Sequence, residues 1–155
     1  MRKALVLCAA VLAFVALALP AYADGRGAQT ETFRSHKATE TFRDFVPCTG
    51  ERATITTVSN SVFHITELRN GTYHITGTQT GTFTAVTPTT TYTGRFTIWF
   101  GENRNRQNEA NTFTFNLRGT AEDGTVIKSH LVAHLSSSAS EPPKLNEFFR
   151  ERCGN

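Results

Sequence analysis

Residues Val62–Phe83 read VFHITELRNGTYHITGTQTGTF, two alternating runs joined by Asn70-Gly71. Alternation with a period of two marks a half-buried strand, and Asn-Gly between two such runs marks a hairpin. The length of the turn decides which side chains share a face. A two-residue turn pairs Arg69 with Thr72 and sets Phe63 and Ile65 on the opposite face from Tyr73 and Ile75, which spoils burial. A three-residue loop, Arg69-Asn70-Gly71, with glycine in the left-handed position, pairs Leu68 with Thr72 instead. Phe63, Ile65, Tyr73, Ile75 and Gly77 then form one face, and Val62, His64, Thr66, Leu68, Thr72, His74 and Thr76 the other. The pattern therefore predicts the three-residue loop. Asn70-Gly71-Thr72 also matches a glycosylation sequon, but the needs of the turn account for it.

The same test works at Glu122-Asp123-Gly124. A three-residue loop there puts Phe113, Phe115, Leu117, Ile127, Leu131 and Ala133 together, with Arg118, Lys128, His130 and His134 opposite. Tyr92, Phe96, Ile98 and Phe100 supply a matching apolar row. Alternating segments rich in Thr, Phe and β-branched residues fall at 41–48, 52–59, 61–68, 72–83, 92–100, 112–120 and 125–135, with a last piece within 144–153. That last piece has some helical spacing, but an extended segment beside the first strand fits the cysteines better. Short strands at regular spacing, separated by turn residues, predict an all-β fold. The clean split of faces predicts an antiparallel barrel of about eight strands, closed by one disulfide; a two-sheet β-sandwich is the alternative.

The ends bound the compartment. Arg2 and Lys3, an apolar run over 4–19, Pro20 and Ala21-Tyr22-Ala23 have the form of a signal peptide over residues 1–23, so a secreted, extracellular protein is expected. Cleavage there lowers the formal charge from +3 to +1. A near-neutral domain gives no electrostatic case for nucleic acid, and no membrane insertion is expected after cleavage. Cleavage also removes Cys8 and leaves Cys48 and Cys153, which predicts one disulfide and requires Cα atoms within about 7 Å. Residues 24–40, polar and short of apolar anchors, read as a disordered arm. Residues 41–155 then form a single antiparallel β domain.

Little in this pattern carries chemistry. His64, His74, His130 and His134 all fall on the polar face. His130 and His134 are about 13 Å apart along a strand and cannot share a metal ion. His64 and His74 are diagonal neighbours, roughly 7–8 Å apart, with no third ligand at metal spacing. No nucleophile elbow or carboxylate pair is apparent, so no catalytic residue, metal or cofactor is assigned. The spaced glycines Gly77 and Gly81 follow no strand-to-helix transition, which makes a bulge or bend a better reading than a phosphate loop. The polar stretch 101–111 reads as a long recognition loop carrying Arg104 and Arg106. Trp99, on the outward face near Arg95, is a candidate anchor for a ligand or a second copy of the chain.

Val62-Phe63-His64 with Asn70-Gly71-Thr72, Thr93-Gly94-Arg95-Phe96-Thr97 leading into Phe100-Gly101, and Phe113-Thr114-Phe115-Asn116 carry a likeness, completed by Gly119-Thr120, Asp123-Gly124, His130 and His134. On these residues the chain resembles a group of small secreted actinobacterial proteins of uncharacterised function. The resemblance implies an all-β domain and no activity. Three readings follow. The first is a secreted binding module for a small apolar ligand or a partner protein, using Trp99, Arg95, Arg104, Arg106, His64 and His74. The second is a structural protein that self-associates as a homodimer. The third is an enzyme with a histidine-containing surface site, less favoured because the sequence supplies too few partners for His64 and His74.

Overall fold

The computed structural model describes residues 27–154. The expected leader over residues 1–23 and the start of the expected arm lie outside the described residues. Seven strands follow one another antiparallel in a single sheet, in chain order: β1 (Gln29–Phe45), β2 (Arg52–Glu67), β3 (Tyr73–Val86), β4 (Thr91–Arg104), β5 (Asn108–Ala121), β6 (Val126–Ser138) and β7 (Glu141–Gly154).

The hairpin register is the one the three-residue loops require. Ile65 stands opposite Ile75 and Phe63 opposite Gly77, and the Leu68 N–H donates to the Thr72 carbonyl at 2.8 Å. The second loop repeats the arrangement, with the Ala121 N–H donating to the Thr125 carbonyl at 2.8 Å. Gly71 (φ 76°) and Gly124 (φ 89°) hold the left-handed positions, where a Cβ would be strained.

Several expectations are corrected. The two segments 52–59 and 61–68 are one unbroken strand, β2. Asn60, the residue between those two segments, lies within the strand, and the irregularity is across the ladder, in a bulge of β1 between Ser35 and Ala38. Asn60 serves that bulge, its Oδ1 accepting the Lys37 N–H at 3.0 Å. The arm expected over 24–40 is strand from Gln29 onward. Its polar composition reflects an edge strand exposed on both faces, held by its ladder to β2 rather than by burial. The recognition loop expected over 101–111 shrinks to residues 105–107, because β4 runs to Arg104 and β5 starts at Asn108. Asn105 closes that turn, its Oδ1 accepting the N–H groups of Gln107 and Asn108 at 2.9 and 2.8 Å. The last segment is extended, as expected, but it pairs with β6 and not with the first strand.

Closure differs as well. The sheet is open: it is neither a closed barrel nor a two-sheet sandwich. Seven strands in meander order leave β1 and β7 pointing the same way, so no hairpin can join the edges. The tie is covalent, a Cys48–Cys153 disulfide with Cα atoms 6.2 Å apart. Cys48 follows β1 and Cys153 sits in β7. In a flat sheet, β2 and β7 would lie about 24 Å apart at some 4.8 Å per strand. The sheet must therefore curl almost onto itself at this end, and Glu51 adds a second clasp there by accepting the Thr89 hydroxyl at 2.8–2.9 Å.

Curling buries the inward side chains nearest the disulfide. Val46, Ala53, Phe83, Ala85, Tyr92, Phe96, Ile98, Ala121 and Ile127 form the core. Glycines under rings make the tight curvature possible. Gly94 faces Gly119 across β4 and β5, and the Phe83 ring lies over both. A Cβ on Gly94 would stand 2.7 Å from that ring and 2.6 Å from the Gly119 Cα. Gly77, expected to mark a bulge or bend, sits in a regular ladder. Its bare Cα lets Phe63 and Phe100 meet above it, ring centroids 5.2 Å apart. Among the described residues every buried side-chain polar atom has a partner; Ser59, for example, accepts from Gln79 at 2.9 Å.

Candidate functional site

Away from the disulfide the same inward rows are only half covered. One row crosses all seven strands as Phe33, Phe63, Gly77, Phe100, Phe113, Ala133 and Glu147. The row toward the core ends in Ile98, Phe115, Leu131 and Phe149, and the row toward the open end in Leu135 and Leu145. Together they line a trough whose long opening is the gap between β1 and β7. Phe33 (40 %), Phe149 (50 %) and Leu145 (51 %) stay exposed on its two lips, whereas Phe83 and Phe96 at the closed end are 5 % and 7 % exposed. A concave, ring-lined surface with a few polar groups at its mouth is the general form of a small-molecule site.

The polar mouth is built from the next residues along. Glu102 lies inward between Ile75 and Asn111. Partial burial pushes its carboxyl above the ordinary range, and neighbouring Glu109 adds to the shift while Arg104 opposes it. Tyr73 donates to Glu67 Oε1 at 3.0 Å, and that bond raises the phenol above its usual value. The mouth therefore presents carboxylates, a phenol and the Arg104 guanidinium around an apolar floor, and its carboxylates suit a ligand group that donates hydrogen bonds.

The residues singled out from sequence do not form one site. Trp99, Arg95, His64 and His74 all face outward, on the convex side, whereas Arg104 turns inward at the mouth opposite Tyr73 and Glu109. Arg106 is exposed in the turn. Trp99 leans away from Arg95: a Cβ on Gly101 would lie 3.1 Å from the tip of its indole. His64 and His74 are diagonal neighbours, but each ring is engaged by the residue directly opposite on its other flank. Thr32 Oγ1 is 2.9 Å from His64 Nδ1, and His74 bonds Asn103. His130 pairs likewise with Asn116 at 2.6 Å and His134 with Thr112 at 3.0 Å. Among the described residues no three His, Cys, Asp or Glu side chains group at metal-binding distance.

Sequence reasoning missed the trough lips. Phe33 was hidden in a stretch that reads as an arm, and Leu145 and Phe149 in a segment of mixed spacing. The signal that finds Phe33 is its place in an alternating run, TETFRS, two residues from Glu31 and Ser35 on the same face. No protein-family model matches this chain, and no curated protein and no solved structure matches it either.

Proposed function

We propose that this chain is an exported binding module that holds a small apolar ligand in the trough between β1 and β7. The observation that carries the reading is the run of inward apolar side chains, from Phe33 to Phe149, left exposed along the open seam. Apolar surface lining a concavity gains free energy by leaving water, and a small ligand is the simplest way to cover it. Glu102, Glu109 and Tyr73 at the mouth would orient a donor group, so a ligand with an amine or hydroxyl at one end suits the site best. The disulfide is compatible with an extracellular location.

The test is titration with a neutral fluorescent probe such as N-phenyl-1-naphthylamine. Micromolar binding with a blue-shifted emission is expected. Phe33→Ala and Phe149→Ala, each removing a half-exposed ring, should weaken binding on the order of fivefold while leaving the unfolding midpoint nearly unchanged. Absence of probe binding, or affinity indifferent to both substitutions, refutes the reading.

A further inference from the structure

The convex face carries a feature that the net charge conceals. Charge follows the pleat. From β2 through β6 no outward position bears a carboxylate; Glu67, Glu102 and Glu109 all point inward with the apolar rows. On β7, Glu147 and Glu151 are inward too, opposite Ala133 and Ser129. The outward positions collect the cations. Arg95 stands directly opposite Arg118, Arg118 opposite Lys128, and Lys128 opposite Arg152. Four positive charges thus lie in one line across four strands, about 14 Å long at some 4.8 Å per strand. Arg150 and His130 flank this line one row away, and the group borders a surface groove of about 450 Å³.

Like charges placed directly opposite one another destabilise a sheet, and among the described residues no carboxylate pairs with any of these four. The arrangement works against the fold, and it makes a preformed site for a multiply charged anion. We infer that this groove binds a linear acidic polysaccharide, with one acidic sugar per cation. The pitch of one charge per strand is close to the length of one sugar ring in a chain. Hydroxyl-bearing side chains continue the pattern beside the line, with Thr93 and Thr120 on one side and Thr97 on the other, where they can bond sugar hydroxyls. Single-stranded nucleic acid fits less well, because it needs aromatic platforms next to its phosphate contacts. The outward positions at Arg95, Thr97, Asn116, Arg118 and Lys128 supply none; the nearest rings are His130 with Phe148, confined to one end of the groove with centroids 5.9 Å apart, and Trp99, four residues or about 13 Å from Arg95.

The experiment measures binding of the full chain to heparin and to alginate over a salt series, with neutral dextran and a poly(dT) oligonucleotide alongside. Both acidic polysaccharides should bind, dextran should not, and the slope of log affinity against log salt should reveal several ion contacts. Arg95→Gln, Arg118→Gln and Lys128→Gln combined should weaken binding at least tenfold and flatten that slope. The same variant should unfold at the same or a higher temperature, because it relieves repulsion, so loss of binding is separable from loss of fold. Arg34→Gln, an outward cation on β1 remote from the line, should bind as the parent does. No binding by the parent, full binding by the triple variant, or preference for poly(dT) over both polysaccharides would each overturn the inference. Because the groove lies on the opposite face from the trough, failure of either reading leaves the other standing.

Discussion

Gly94→Ala is expected to destabilise the protein, and its cost follows from what lies around the missing methyl. The new Cβ would press against the Arg118 carbonyl oxygen, the Gly119 Cα at 2.6 Å and the Phe83 ring at 2.7 Å. Two of those neighbours are backbone of the adjacent strand, held in register by the β4–β5 ladder, so they cannot move independently. Overpacking of this kind costs about 1–3 kcal/mol. Against it, alanine loses less freedom on folding than glycine, a gain of about 0.4–1 kcal/mol. The net expectation is a loss of about 1–2 kcal/mol. Gly101→Ala is the matched control. It sits on the same strand, but its nearest neighbour is the flexible tip of Trp99 at 3.1 Å, so the gain survives and stability should stay within about 0.5 kcal/mol or rise. Urea unfolding followed by tyrosine and tryptophan fluorescence measures both, with Gly94→Ala lowering the midpoint by about 0.5–1 M at unchanged m-value. Equal midpoints for the two variants would refute the argument that bare glycines under rings allow the sheet to curl.

Other outcomes follow from the same geometry. Replacing Cys48 and Cys153 by serine releases a link between residues 105 apart; it should cost about 5 kcal/mol, read by calorimetry, and a loss below about 1 kcal/mol would mean the curl holds without it. Glu102→Gln should raise the melting temperature at neutral pH. The folded-state pKa of Glu102 is raised, so its destabilising effect grows as pH rises above its ordinary carboxyl value and vanishes below it; melting curves of both proteins should therefore converge in acid. Gly71→Ala forces a Cβ into a φ of 76° and should cost about 1–2 kcal/mol by urea unfolding, with wild-type stability counting against the assigned turn. The Thr125 N–H bonded to Asp123 at 2.8 Å holds that carboxylate's pKa down. Its contribution should thus be present above the ordinary Asp range and fade as pH falls through the lowered value, and Asp123→Asn should lose that acid-side dependence in melting curves.

The trough and the convex groove divide the sheet between two chemistries. Inward positions alternate with outward ones along every strand, so, Arg104 apart, the carboxylates at the mouth and the cations behind lie on different surfaces. A formal charge near zero is the sum of these two faces and describes neither. Net charge gives no electrostatic case for nucleic acid because it is that sum, whereas the local field depends on which residues the ladders bring side by side.

Much of the fold was legible because face and turn are local properties. Asn70-Gly71 and Asp123-Gly124 set the register of their hairpins, and alternation then told Phe63 and Ile75 from His64 and His74 without any knowledge of the rest. The even cysteine pair announced the disulfide. Strand boundaries were less legible, since Asn60 looks like a turn residue but serves a bulge in β1, and residues 101–111 look like a loop but extend β4 and β5. Three things only the tertiary structure decided. Closure depends on contacts between β1 and β7, at opposite ends of the chain, which no local pattern specifies, and the sheet curls without pairing those edges. The lips of the trough belong to edge strands, whose polar faces hide Phe33 and Phe149 from any test of burial. The Glu122-Asp123-Gly124 loop alone sets Arg118 beside Lys128, but the line exists only because the β4–β5 and β6–β7 registers bring Arg95 and Arg152 into the same row.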